Sequence, residues 1–146
     1  MIVRKITEEN EIKIALELAI KVFMVFEAPE YPEEGINSFK SSLSSKEYIE
    51  KLTIYGAFDK DKLVGIIATR MLGSHIALFF VDEEYQGKGI GRLLFEEVLV
   101  NCYMEKLTVN SSPYAAEIYH HLGFADDKPE QITDGIRYIP MTYIKE

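Results

Sequence analysis

Residues 75–99, with the sequence HIALFFVDEEYQGKGIGRLLFEEVL, contain the pattern that decides the fold. The first part, His75 to Val81, is a continuous apolar run, and such runs are typical of strands buried on both faces of a parallel or mixed sheet. Glycines and helically spaced apolar residues follow, namely Gly87, Gly89, Gly91, Ile90, Leu93, Leu94, Val98 and Leu99. The stretch therefore predicts a central strand, a glycine-rich turn and an amphipathic helix.

The segments around this stretch extend it into a sheet. KLTVN at 106–110 predicts the next strand, and the order strand, helix, strand predicts a right-handed crossover between parallel strands. Upstream, IVRKI at 2–6 predicts a strand, and 53–59 and 62–71 predict a hairpin that turns at Lys60-Asp61. The predicted class is therefore α/β.

Prolines and glycines mark the ends of the remaining elements. The first helix is expected to begin after Thr7 and to end near Pro29, because the residue before a proline disfavours the helical region. Pro32 suits the first turn of a second helix. Ser112-Pro113 starts a helix through Leu122 that Gly123 caps. Residues 136 to 145 close the chain as a strand, which Pro140 is expected to restrict to an edge or a bulge.

Composition excludes several classes of protein. The 146 residues allow one domain, 1–146, with one core. The net charge of −8 has the wrong sign for a nucleic-acid partner. The apolar runs are shorter than the ~18 residues of a membrane helix, so no membrane partner is expected. One cysteine, Cys102, agrees with a reducing compartment, and we expect a soluble, cytoplasmic protein.

The glycine turn, Gln86 to Arg92, predicts an anion site. Glycines between a buried strand and a helix N-terminus leave backbone N–H groups free to converge on a phosphate. A Walker A loop does not fit, because Asp82 and Gly89 occupy the positions of its first glycine and its Ser or Thr. A dinucleotide-binding fingerprint does not fit either, because its third glycine is missing. A plain tight turn is the alternative interpretation.

The turn resembles the Gln/Arg-x-x-Gly-x-Gly/Ala pyrophosphate loop of the GNAT superfamily of N-acetyltransferases. Residues 110–124 resemble the same family's fifth strand and following helix. The resemblance implies a GNAT fold over the whole chain: a central mixed sheet whose parallel strands 4 and 5 splay apart, flanked by about four helices. It also implies acetyl-CoA as acyl donor, and no metal. The residues it implies for the cofactor are Phe80, Val81, Gln86, Gly87, Lys88, Gly89, Ile90, Gly91, Arg92, Asn110, Ala115 and Tyr119.

Two catalytic residues are carried over from the resemblance. Tyr119 stands where family members hold the tyrosine that protonates the CoA sulfur, and a core-facing ring is the alternative interpretation. His75 stands at the position of a catalytic glutamate in histone-type relatives and is the candidate base, with a hydrogen-bonded strand-end histidine as the alternative. A backbone N–H near Phe80 is expected to stabilise the oxyanion.

The other candidates for the base are the acids of residues 27–34, namely Glu27, Glu30, Glu33 and Glu34, and the resemblance implies that this region builds the acceptor pocket. In this segment acidic side chains alternate with aromatic ones, and no lysine or arginine stands between them. Such a composition is suited to binding a cationic amine. The expected acceptor-binding residues are Phe26, Glu27, Glu30, Tyr31 and Glu33. A solvated helix start is the alternative interpretation. His120 and His121 point in different directions on a helix and predict surface positions rather than a metal site.

The function that follows from the resemblance is transfer of an acetyl group from acetyl-CoA to a primary amine, expected to be small and cationic, by direct attack in a ternary complex. Two alternatives stay open. One is acetylation of a protein N-terminus or lysine, and the other is a non-catalytic acyl-CoA sensor. The sequence also leaves the oligomeric state open, a homodimer included.

Overall fold

The computed structural model describes residues 1–146. The strands are β1 (Ile2–Ile6), β2 (Thr53–Asp59), β3 (Lys62–Arg70), β4 (His75–Val81), β5 (Lys106–Ser111), β6 (Ala125–Asp126), β7 (Gln131–Thr133) and β8 (Ile136–Ile144). The helices are α1 (Glu9–Phe26), α2 (Glu33–Ser44), α3 (Lys46–Glu50), α4 (Ile90–Asn101) and α5 (Ala116–Leu122). Short 3-10 helices span Ala28–Glu30 and Glu83–Tyr85.

The strands form a mixed sheet in the order β1-β2-β3-β4-β5-β8-β6, with β7 paired to β8. Every neighbouring pair is antiparallel except β4 and β5, which run parallel as the crossover predicts. The α/β class and the central position of β4 are confirmed. The helices number five where about four were expected, and the additional one is the five-residue α3.

The core is divided between the two faces of the sheet. Helices α1 and α2 cover one face, where Phe23 and Leu43 pack with Ile66. Helix α4 covers the other face, where Leu94 packs with Ile67. Adjacent residues of β3 therefore contribute to different clusters, because successive side chains of a strand point to opposite faces.

The parallel strands β4 and β5 are paired only where the first two residues of β4 meet the middle of β5. His75 pairs with Thr108 and Ile76 with Val109, and no pairing continues beyond these two positions. The register between β3 and β4 shifts at the same level, where Ala68 pairs with Leu78 and Thr69 with Ile76. Ala77 is thus an extra residue, and such a bulge bends the strand that carries it. The bend separates the C-terminal half of β4 from β5, which confirms the predicted splay.

Three local expectations were wrong. The N-cap of α1 is Glu8 rather than Thr7. Pro32 is the N-cap of α2 and precedes its first turn. Pro140 lies in β8, which pairs with β5 on one side and with β6 on the other, so its strand is not an edge. The proline is tolerated because the pairing with β6 ends at Met141, so no N–H is needed from residue 140 on that side. The Pro140 carbonyl is used, since it accepts a hydrogen bond from Asp127 N–H at 2.8 Å.

No helix of the protein combines the length and the apolar character that a membrane span requires.

Candidate active site

The N-terminus of α4 presents backbone N–H groups that have no partner within the protein. None of the N–H groups of residues 86–92 donates a backbone hydrogen bond, and the first bond of the helix runs from Leu93 N–H to the Gly89 carbonyl at 3.2 Å. Unpaired N–H groups and the positive end of the helix dipole together favour an anion. The arrangement supports the predicted phosphate cradle.

Glycine is required at two positions of this cradle. Gly87 has φ +76° and Gly89 has φ +83°, a left-handed conformation that other residues rarely adopt. A Cβ atom added at either position would meet no protein atom within 4 Å. Glycine is therefore required here by the backbone conformation and not by crowding, and that conformation shapes the turn that presents the N–H groups.

The exposed edge of β4 continues from the cradle into the gap beside β5. Asp82 N–H donates to the Val64 carbonyl of β3 at 2.8 Å, so Asp82 and Phe80 are hydrogen-bonded partners of β3. The polar backbone groups of Phe79 and Val81 consequently face the gap. This corrects the expectation that the Phe80 backbone binds the cofactor. The Val81 carbonyl already accepts a bond from Gln86 Nε2 at 3.0 Å, so the Gln86 side chain braces the loop.

A first cavity of about 260 Å³ lies between the cradle and the gap. Its wall includes the backbone of the glycine turn and the side chains of Phe79, Tyr85 and Tyr119. Of the residues predicted for the cofactor, it brings together Phe80, Val81, Gln86, Gly87, Gly89, Ile90, Gly91, Ala115 and Tyr119. The first cavity is therefore the candidate cofactor site.

Three other residues predicted for the cofactor do not line the first cavity. Lys88 is exposed, with its ammonium 5.3 Å from the centre of the Tyr85 ring. The Arg92 guanidinium donates to the His121 carbonyl at 3.3 Å, which joins α4 to α5. Asn110 lines a second cavity instead. Lys88 and Arg92 could therefore contact a cofactor only outside the first cavity.

The second cavity, of about 220 Å³, lies on the side of the sheet covered by α1 and α2. Its wall combines residues of α1, α2, α3, β4, β5, α5 and β8, which are far apart in the chain. The two cavities share five residues, namely Glu27, Phe79, Phe80, Ala115 and Tyr119. The gap between β4 and β5 thus joins the two cavities, and these residues stand at the junction.

Glu27 is the only carboxylate at the junction. It follows the last residue of α1 directly, and its side chain is half-buried. Burial raises the pKa of Glu27 to about 7; the Ser112 side chain opposes this shift and the charge of Glu30 adds to it. A carboxyl with a pKa near neutrality is suited to accept and release a proton at physiological pH.

Tyr119 is the other ionisable group at the junction. Only 5% of it is exposed, and burial followed by the nearby Glu27 charge raises its pKa well above the usual range of a phenol. The hydroxyl therefore stays protonated at neutral pH. Edge-to-face contacts with Phe79, at 5.8 Å between ring centres, and with Phe124, at 5.4 Å, fix the orientation of the ring.

His75 does not lie at the junction. It begins β4, at the end of the strand where β4 and β5 are still paired, and it lines neither cavity. Its Nδ1 lies 2.8 Å from Thr108 Oγ1, and burial together with the Arg70 charge lowers its pKa to about 4. The structure thus favours the alternative interpretation of a hydrogen-bonded strand-end histidine.

The acidic and aromatic segment is divided by the structure. Glu27 and Tyr31 line the second cavity, whereas Glu30 and Glu33 are exposed and line neither cavity. Phe26 stacks on Tyr114, with ring centres 5.2 Å apart, and lines neither cavity. His120 and His121 are exposed, as predicted.

Sequence reasoning missed several residues that line the cavities. Phe79 had a usable signal, because it alternates with Val81 along β4. Tyr138 had none, since it reaches the second cavity only through the β7–β8 hairpin, which the sequence did not predict. Phe39 lines the second cavity as well, and its stacking on Phe23, with ring centres 3.9 Å apart, depends on how α1 and α2 pack.

Comparison with known proteins gives one family and a consistent fold. A family model described as the acetyltransferase (GNAT) domain matches residues 27–145. No curated protein gives a significant sequence match.

Three solved structures are similar over nearly their whole length. A GCN5-related N-acetyltransferase from Rhodopseudomonas palustris has a TM-score of 0.83 at 18% identity, covering 98% of this chain and 94% of that one. PaiA N-acetyltransferase from Thermoplasma acidophilum, in complex with coenzyme A, has a TM-score of 0.73 at 20% identity and covers 99% of both chains. Apo YjaB from Escherichia coli has a TM-score of 0.75 at 19% identity and covers 100% of both. At such identities the likeness establishes the fold.

Proposed function

The chain belongs to the GNAT acetyltransferase family, and from this premise we propose that it transfers an acetyl group from acetyl-CoA to a small primary amine, with Glu27 as general base and Tyr119 as general acid. The observation that carries the proposal is the position of these two side chains where the two cavities meet. Donor and acceptor would approach from opposite sides of the gap. Direct attack in a ternary complex needs that geometry.

The first cavity has the groups that acetyl-CoA requires. The free N–H groups of residues 86–92 would hold the pyrophosphate, so an acidic protein needs no excess of basic side chains to bind it. The gap-facing backbone of Phe79 and Val81 would pair with the amides of the pantetheine arm, as an added strand does. When bound, acetyl-CoA supplies the thioester acyl group that is transferred.

Glu27 makes the amine nucleophilic. Primary amines are ammonium ions at neutral pH and have no free lone pair until a proton is removed. The Glu27 carboxylate first attracts the cation and then accepts its proton, and a pKa of about 7 allows both steps at physiological pH. The proton is later released to solvent.

Tyr119 and the edge of β4 act on the other side of the reacting carbon. A gap-facing N–H of Phe79 or Val81 donates a hydrogen bond to the developing oxyanion. The Tyr119 hydroxyl, kept protonated by its buried position, donates its proton to the departing sulfur, and the second proton that the attacking nitrogen loses as the amide forms restores the hydroxyl. The Glu27 charge and the Tyr119 proton support each other, because a negative neighbour disfavours the phenolate.

The proposal is tested by combining binding and turnover. Calorimetry with acetyl-CoA and mass spectrometry of products from a mixture of small primary amines should show cofactor binding and N-acetylated amines. Thiol release should depend on both substrates. Binding of acetyl-CoA without any amine-dependent thiol release would instead identify a sensor, and acetylation confined to added peptides would identify a protein acetyltransferase.

A further inference from the structure

The second cavity contains one charged group. Of its 19 lining residues 15 are hydrophobic, and Glu27 is the only acid or base among them. Glu27 stands at the end of the cavity that opens to the first one. The remainder of the second cavity therefore offers no counter-charge to a ligand.

The hydroxyl groups in its wall are mostly engaged elsewhere. The Tyr31 hydroxyl donates to the Arg137 carbonyl at 3.2 Å, and Ser42 Oγ donates to the Ser38 carbonyl at 3.1 Å. The Tyr138 hydroxyl lies 3.3 Å from Thr133 Oγ1. Ser112 Oγ accepts from Ala115 N–H at 3.2 Å, and the groups left free, the Tyr48 and Tyr119 hydroxyls and the Asn110 amide, are neutral. A second charged group of a ligand would thus find no counter-charge there.

Aromatic rings form much of the wall of the second cavity. Phe23 stacks on Phe39 with ring centres 3.9 Å apart and meets Tyr31 edge-to-face at 5.5 Å. Phe39 in turn meets Phe80 edge-to-face at 5.9 Å. Rings arranged in this way form a rigid apolar surface that favours another ring.

The volume sets the size of the occupant. A cavity of roughly 150 Å³ accommodates a benzene molecule. The second cavity, at about 220 Å³, therefore has room for one ring and a short chain.

We infer that the acceptor is an arylalkyl monoamine, with its nitrogen at Glu27 and its ring against the aromatic wall of Tyr31, Phe23, Phe39 and Phe80. This inference rests on the proposed function and narrows its acceptor. It keeps Glu27 and Tyr31 from the acceptor-binding residues expected from the sequence. It leaves out Glu30 and Glu33, because both carboxylates are exposed and line neither cavity.

Two other classes of amine are disfavoured by the same wall. A diamine or polyamine would place a second ammonium where no carboxylate lies, and an unpaired buried charge is costly. An amino acid would bring a carboxylate into a wall without lysine or arginine. Both classes should be poor acceptors.

A panel of four amines tests the inference. 2-Phenylethylamine is compared with ethylamine, which lacks the ring, with putrescine, which adds a charge, and with phenylalanine, which adds a carboxylate. Burying the ring should raise kcat/KM for 2-phenylethylamine about 30-fold or more over ethylamine. The kcat/KM for 2-phenylethylamine should also exceed the values for putrescine and for phenylalanine about 30-fold or more. A kcat/KM for ethylamine within threefold of that for 2-phenylethylamine would overturn the inference. A higher kcat/KM for putrescine or for phenylalanine would also overturn it.

A pair of matched variants locates the ring. Ile136 lines the second cavity, whereas Ile132 lies on the same β7–β8 hairpin, is 65% exposed and lines neither cavity. Ile136→Asp should lower kcat/KM for 2-phenylethylamine about tenfold and reduce its advantage over putrescine. Ile132→Asp should leave both values within twofold. Equal behaviour of the two variants would contradict the placement of the ring.

Calorimetry separates failure of this inference from failure of the proposed function. 2-Phenylethylamine is titrated into protein saturated with CoA, and its Kd should be about tenfold higher in Ile136→Asp. Binding without turnover would overturn the transferase function and keep the occupant. Turnover without a preference for the aromatic amine would contradict the arylalkyl monoamine as acceptor and leave the transferase function standing. The absence of both binding and turnover would overturn both.

Discussion

The two cavities that meet at Glu27 are built in different ways. The first is formed mainly by one stretch, β4 and the glycine turn, and its main contacts are backbone N–H groups and the open edge of a strand. The second is formed by side chains from seven elements distributed over the chain. A backbone cradle requires glycines at fixed spacing, whereas a side-chain wall depends on volume and polarity alone. The first can therefore remain recognisable in a sequence when the second does not.

The largest effect is expected at the junction of the two cavities. Glu27→Gln removes the base, keeps the shape of the side chain, and should lower kcat about 10³-fold while the Kd for acetyl-CoA stays within threefold. Steady-state thiol release and calorimetry measure the two quantities. Glu30→Gln is the matched control, since Glu30 is exposed and lines neither cavity. A similar loss in both variants would mean that charge near α1, and not proton transfer, is responsible.

Tyr119 is the second group at the junction and is expected to matter less. Tyr119→Phe keeps the ring contacts with Phe79 and Phe124 and removes the proton donor. We expect kcat to fall about 10²-fold with little change in the Kd for acetyl-CoA. Stopped-flow or quench measurement of a single turnover ensures that the chemical step is observed. An unchanged single-turnover rate would assign Tyr119 to packing.

The backbone cradle is tested by a glycine substitution. Gly89→Val would force a β-branched residue into the left-handed conformation of Gly89 just before α4, which should displace the N–H groups of the cradle and raise the Kd for acetyl-CoA about 30-fold. Backbone strain is controlled by Gly73→Val, because Gly73 also has a left-handed φ, +84°, and its added Cβ would make only ordinary contact with Cys102 at 3.6 Å. Gly73→Val should bind acetyl-CoA as the parent does. An equal rise of the Kd for acetyl-CoA in both variants would show that backbone strain in general, and not the loss of the cradle, weakens binding.

The smallest effect is expected at His75. The residue lines neither cavity, and its lowered pKa keeps it neutral at pH 7. His75→Gln should therefore keep kcat and both KM values within about twofold of the parent, with a modest loss of thermal stability from the altered contact with Thr108. A loss of kcat comparable to that of Glu27→Gln would restore His75 as the base.

The sequence predicted those features of the fold that depend on local pattern. The strand boundaries of β4, its parallel neighbour and the glycine turn follow from an apolar run, a crossover and residues that tolerate a left-handed φ. The sequence did not predict α3, β6 or β7, which are short and whose packing depends on distant elements. The bulge at Ala77 was also not predicted, because it appears only in the register between β3 and β4.

The site was predicted to the same limit. The cradle residues Gly87, Gly89 and Gly91 and the tyrosine at the junction were identified from spacing and resemblance. Glu27 was placed in the acceptor group but not distinguished from Glu30 and Glu33, since burial alone sets it apart and the sequence does not report burial. His75 was selected by position along β4, and the bulge and the splay place it beyond the reach of the junction.

The pH dependence of kcat/KM for an amine acceptor tests the role of Glu27 most directly. Because the carboxylate is the active form and its pKa is about 7, kcat/KM should rise about tenfold per pH unit below that value and level off above it. His75→Gln should keep this rise, whereas in Glu27→Gln it should disappear and leave only the titration of the amine itself. A rise near pH 7 that persists in Glu27→Gln, or that is lost in His75→Gln, would contradict the account.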